Sequence, residues 1–135
     1  MLVLVKGAGD LASGVACRLF RAGFQVIMTD IAQPTVIRRT VSFAQAVYDG
    51  KTMVEDIEGV LAKDSLEAMI LVEQRKIPVL VDPKCEIAQQ LKFDALVDGV
   101  LAKKNIGTRI DDAPIVVALG PGFTAGVDCH AAIET

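Results

Sequence analysis

Apolar residues fall along this chain in short unbroken runs set apart by polar and glycine-rich turns. The first run is Leu2 to Val5, interrupted by Gly7 to Gly14. Leu11, Val15, Ala16, Leu19 and Phe20 then recur at helical spacing, which predicts a helix over Leu11 to Ala22 that Gly23 stops. Gln25 to Asp30 predicts a second buried strand ending in a carboxylate. Further on, Ser42 is placed to cap a short helix through Val47, with Asp49-Gly50 as its turn. Gly59 to Ala62 reads as a strand tip, and Asp64 is placed to cap a helix from Ser65 to about Gln74. Pro78 to Val81, Ala95 to Val97 and Pro114 to Leu119 read as strands, with Glu86 to Leu91 helical between the first two.

Repeated strand–helix–strand order predicts an α/β fold, Rossmann-like, with a mostly parallel sheet and helices on both faces. Strands covered on both faces read as continuous apolar runs, which is the pattern here. A length of 135 residues suits a single domain, 1–135, able to bury a real core. There is no low-complexity segment, long linker or convincing internal repeat.

Composition narrows the function classes. The chain is 52% hydrophobic, yet runs such as Ile115 to Leu119 fall far short of the roughly 20 residues a membrane helix needs. No membrane partner is therefore expected, and the apolar surplus fits a core together with a further covered surface, such as a homodimer interface. Fourteen basic against 17 acidic residues give a net charge of −3, so no general attraction to nucleic acid is expected. Cys17, Cys85 and Cys129 are widely spaced with no CxxC pair, and no signal-peptide pattern precedes Lys6. Reduced thiols in a cytoplasmic protein follow as the expectation, with Cys17 in a packing role.

Gly7-Ala8-Gly9-Asp10-Leu11-Ala12 matches the G-x-G-x-x-A form of the dinucleotide fingerprint. Gly7 allows the tight turn, Gly9 lets a pyrophosphate approach the backbone, and the small Ala12 lets the helix pack close to the strand. The helix that follows offers unpaired N–H groups and a positive dipole end to the anion. Asp30, about 20 residues on, stands where a ribose-binding acid is expected. It is equally placed to cap the turn after its strand. Asp10 sits inside the loop, where its ordinary role is to cap the helix through Ser13 or a nearby N–H, and its sharper one to hold a phosphate-bound metal.

Two further groups of residues carry chemistry. Arg38 and Arg39, after the Gln33-Pro34 turn, make a guanidinium pair suited to clamp phosphate, or else a solvated helix start. The stretch Lys103-Lys104-Asn105, Gly107-Thr108-Arg109 and Asp111-Asp112 leads into the Pro114–Leu119 strand, which ends in Gly120-Pro121-Gly122-Phe123. A glycine-rich loop outside a strand's carboxyl end is where open α/β proteins place ligands, and Gly120 and Gly122 are placed to form an anion nest or a plain surface turn. Read as a strand, Val127 to Glu134 puts Cys129 toward the core and His130 on one face with Asp128 and Glu134. Asp128 and His130 are then candidates for a metal site or an oriented base, against the commoner reading of a histidine paired with a surface acid.

Three blocks resemble a known family: Val5 to Ala16, Arg38 to Ala44, and Leu119 to Gly126. Together they resemble the YqeB-type accessory proteins associated with selenium-dependent molybdenum hydroxylases, distantly related to the XdhC/CoxI maturation factors. The likeness covers essentially the whole chain. It implies a cytoplasmic factor that helps mature or insert the cofactor of a xanthine dehydrogenase-like enzyme and contains a Rossmann-like region. It also implies that the present sequence is truncated at its C-terminus, because chains of the family continue well past Asp128 to Thr135. The resemblance carries over no catalytic residue, so whether the protein is an enzyme stays open. The ligand expected at the glycine loop is NAD(P) or another nucleotide. Two alternatives remain beside this one: a small NAD(P)-dependent oxidoreductase domain, and a degenerate Rossmann scaffold that only docks proteins. Against the oxidoreductase stands the lack of a Tyr-x-x-x-Lys pair, since Tyr48 has no lysine four residues on.

Overall fold

The computed structural model describes residues 1–31, 42–102 and 104–134. Among these, the chain runs β1 (Leu2–Lys6), α1 (Asp10–Arg21), β2 (Gln25–Asp30), α2 (Gln45–Asp49), β3 (Lys51–Val54), β4 (Ile57–Ala62), α3 (Ser65–Glu73), β5 (Ile77–Val81), α4 (Ile87–Gln90), β6 (Ala95–Asp98), β7 (Ile115–Leu119) and β8 (Ala131–Ile133). The strands form one sheet in the order β3-β4-β5-β2-β1-β6-β7-β8. Every neighbouring pair is parallel except β3 with β4. This is the expected Rossmann-like α/β fold, and no described helix is long and apolar enough to cross a membrane.

The two-residue period of the strands divides the core in two. Val3, Val5, Val26 and Met28 face α1 and α2, packing with Ala12, Ala16, Cys17 and Ala46. Leu4, Ile27, Leu80 and Leu96 face the other way and pack with Ala68, Leu71 and Val72 of α3 and Ile87 of α4. Fully burying side chains of this size contributes about 1.5–3 kcal/mol each, so the central strands dominate the sheet's stability. Helices therefore lie on both faces.

Local chemistry sets most helix ends where the sequence places them. Asp64 caps α3, accepting from the Glu67 amide at 2.9 Å. Gly23 (φ +98°) follows α1 and Gly50 (φ +83°) ends α2, both in the left-handed region that glycine tolerates.

Three expectations need correction. Asp10 does not cap α1: the cap position is Gly9 in extended backbone, and Asp10 is the first helical residue, its Oδ1 accepting from Leu11 N at 3.0 Å. Ser42 does not cap α2, whose cap position is Ala44; its hydroxyl instead donates to the Ala8 carbonyl at 2.6 Å. Val127 to Ala131 is not a continuous strand either. The amides of Val127 and Asp128 both turn back to the Thr124 carbonyl, and β8 begins only at Ala131.

Candidate functional site

The order β2-β1-β6 places the reversal of strand order, from strands added on one side of β1 to strands added on the other, between β1 and β6. Open α/β sheets bind ligands just outside the carboxyl ends of the strands at such a point. Here two glycines let the neighbouring chain segments pack closely at that end. A Cβ on Gly7 (φ +91°) would lie 2.9 Å from the Gly99 carbonyl oxygen, and one on Gly99 would lie 2.9 Å from the Ala12 Cβ. The turn after β1, the first turn of α1 and the chain leaving β6 thus meet at backbone distance. Ala12, in the first turn of α1, lies against Gly99 just after β6.

Beside this junction lies a cavity of about 350 Å³. Lys6, Gly7, Thr29, Asp30 and Asp98 form its floor, with walls from Asp82–Cys85, from Val100, Ala102, Lys104, Ile106 and Gly107, and from Phe123. Within the floor a charged cluster bridges β1 and β6. Lys6 Nζ donates to Thr108 Oγ1 at 2.7 Å, and the same hydroxyl donates to Asp98 Oδ2 at 2.5 Å. Lys6 and Asp98 are 3.9 Å apart, and Asp98 Oδ1 accepts from Val100 N. Asn105 folds the loop that presents Thr108, accepting from the Gly107 and Thr108 amides and donating to the Thr108 carbonyl.

The glycine loop is held from inside the protein. Asp30 Oδ2 accepts from the Ala8 amide at 2.9 Å, and Oδ1 accepts from Ile31 N at 2.8 Å. Burial raises the Asp30 pKa above the ordinary carboxylate value, against the lowering effect of those two amides. The Ala8 carbonyl accepts from the hydroxyls of Ser13 and Ser42 and from the Ala44 amide. Gly9, in contrast, is open: nothing lies within 4 Å of where its Cβ would be.

Gly7 and Asp30 line the cavity together, whereas Asp10 sits on the solvent side of the helix start, on a broad groove along α1. Gly120 and Gly122 have structural work. The Gly120 amide donates to the Ile133 carbonyl, and a Cβ on Gly122 would come within 2.6 Å of Lys104 Cα. Their turn packs the Lys104 loop against the sheet and places Phe123 on the cavity. Arg38 and Arg39 lie outside the described residues. Asp128 and His130 are not brought together: Asp128 accepts from Thr124 N, and His130 Nδ1 accepts from Val116 N at 2.9 Å. Among the described residues no group of three or more potential ligands could hold a metal.

Lys6, Asp98, Cys85 and Asp82 carried no signal in the sequence, because each is a lone polar residue at a strand end or turn. Cys85 has φ +54° and lies against Thr29, and burial pushes its thiol up to about 11. Cys17 and Cys129 are also buried and raised, so all three thiols stay protonated near neutrality.

Over 134 residues, 99% of this chain, the sequence is 60% identical to the uncharacterized protein YqeB of Escherichia coli K12. The chain is similar to YqeB. It spans a quarter of that relative's length. No family model matches the chain, and no solved structure matches it. The likeness to YqeB agrees with the resemblance carried by the glycine loop, the Arg38 block and the Gly120 block.

Proposed function

We propose that this chain is the nucleotide-binding part of an accessory factor that acts in the cytoplasm on a selenium-dependent, xanthine dehydrogenase-like molybdenum hydroxylase. The nucleotide half rests on one observation: the cavity opens where the strand order reverses between β1 and β6, bordered by Gly7 of the fingerprint loop and by Asp30. The ligand is NAD(P) or another nucleotide. The hydroxylase half rests on the resemblance to YqeB-type proteins and on the 60% identity to YqeB over nearly the whole chain.

A second reading, a scaffold that only docks proteins, has one observation in its favour. Both polar groups of Ala8, its N–H and its C=O, are satisfied internally, so this residue of the loop needs no ligand. An oxidoreductase has less support, since no tyrosine or histidine is among the described residues lining the cavity.

Calorimetric titration with NAD(H), NADP(H), ATP and CTP separates the readings. Saturable binding of any of these supports the proposal, and no binding leaves the docking scaffold. For the partner, loss of this protein should lower the cofactor content of the hydroxylase, and unchanged content would remove the maturation role. Adjacency of its gene to molybdenum hydroxylase or selenium-metabolism genes is the quickest supporting observation.

A further inference from the structure

We infer that the cavity floor is an anion site centred on Lys6, and that it takes the phosphate of a ligand the size of one nucleotide unit. The phosphate lies there rather than over the glycine loop. The identity of the ligand as a nucleotide rests on the function proposed above; the anion does not.

The argument is an account of donors and acceptors. Asp30, Asp82 and Asp98 line the cavity, and each carboxylate is already engaged through both oxygens. Asp30 accepts from the Ala8 and Ile31 amides, and Asp82 from those of Glu86 and Ile87. Asp98 accepts from Val100 N and the Thr108 hydroxyl. The cavity's described lysines are in the opposite state. Lys6 gives one proton to Thr108, while the ammonium groups of Lys84 and Lys104 make no hydrogen bond or ion pair among the described residues. An ammonium group only donates, with three protons to place. A ligand that completes this site brings negatively charged acceptors, and phosphate does so with several oxygens.

The Lys6 side chain is only 13% exposed, which strengthens its attraction to an anion relative to open water. The glycine loop is the poorer place. Its Ala8 amide is taken by a carboxylate, and Asp10 adds another at the helix start. The cavity's 350 Å³ stands near the small end of the range for small-molecule sites, about 300–1,000 Å³, which favours one nucleotide unit over two. Ile31, Val100 and Ile106 expose about half or more of their surface, and with Phe123 they offer an apolar rim for a flat heterocycle.

The test is calorimetry on the whole chain with AMP, adenosine and inorganic pyrophosphate. It compares wild type with Lys6→Met, the double variant Lys84→Ala/Lys104→Ala, and Gly9→Asp. AMP and pyrophosphate should lose at least about tenfold in affinity in both lysine variants, since each removes a charge-assisted contact. Adenosine should bind both unchanged, and Gly9→Asp should stay within about twofold for every probe. The double variant touches only exposed side chains, so it reads out even where Lys6→Met disturbs folding. A tenfold loss of AMP affinity in Gly9→Asp with none in the lysine variants overturns the anion site and keeps the nucleotide reading. Pyrophosphate binding that depends on Lys6, without binding of AMP or any nucleotide, keeps the anion site and removes the nucleotide reading. No binding of pyrophosphate or AMP to wild type overturns the site.

Discussion

Asp30 and Ala8 are joined end to end: the carboxylate that closes β2 accepts the amide of the second residue of the glycine loop at 2.9 Å. Ala8 is fully buried, so this amide has no water to turn to. A buried donor left without an acceptor costs about 1–3 kcal/mol. Asp30→Ala is therefore expected to lower unfolding free energy by about that much in urea titration. An unchanged midpoint would show that the bond contributes nothing.

The pH dependence of the same group has a definite sign. Burial raises Asp30 in the folded state, so its protonated form is favoured there more than in the unfolded chain. The part of its contribution linked to the proton is complete below the ordinary carboxylate pKa and is lost as pH rises through the raised one, while the bond from the Ala8 amide is a separate term. The stability of wild type relative to Asp30→Asn should fall across that window and then level off. A difference that grows with pH contradicts this.

The glycines of the loop are not equivalent. Gly7 has φ +91° and no room for a Cβ against the Gly99 carbonyl, whereas Gly9 has φ −69° and open space. Gly7→Ala should destabilise by about 2 kcal/mol or more through strain and contact. Gly9→Ala should stay within about 0.5 kcal/mol, like an ordinary surface change. Thermal melts of the two variants give the comparison.

Thr108 joins a cation to an anion through one hydroxyl. Thr108→Val keeps the shape but leaves both Lys6 and Asp98 short of a partner where Asp98 is 4% exposed. A loss of about 1–3 kcal/mol is expected, with Thr108→Ser recovering most of it. A loss in Thr108→Ser with none in Thr108→Val would point to packing of the methyl group instead.

All three cysteines are buried and hold their protons. With a thiol reagent at neutral pH the folded protein should react slowly, and the unfolded chain should show three rapid thiols. Rapid reaction of one thiol in the folded protein would show that its site opens readily.

Much of the fold is legible in the chain because its determinants are local. Apolar runs bounded by glycine, proline or charged residues mark β1, β2, β5 and β7, and Asp64 marks the start of α3. The β3–β4 hairpin is not legible. Its two-residue turn is Glu55-Asp56, at φ +49° and +69°, where such turns favour Asn-Gly. Arg21 holds it from α1, with Nη1 2.8 Å from Glu55 Oε1 and Nη2 donating to the Glu55 carbonyl. That is a long-range contact with no mark in the local sequence.

The glycine loop shows the same division. Sequence alone determined that Gly7 to Ala12 turns a strand into a helix, because periodicity and the demands of positive φ are carried by neighbouring residues. Only tertiary structure decided which groups around the loop remain available to a ligand. Asp30, Ser13 and Ser42 converge on Ala8, while Lys6 meets Asp98 and Thr108 across more than ninety positions of chain. Lone polar residues acquire such partners when parallel strands align their carboxyl ends, and their spacing along the chain records none of it.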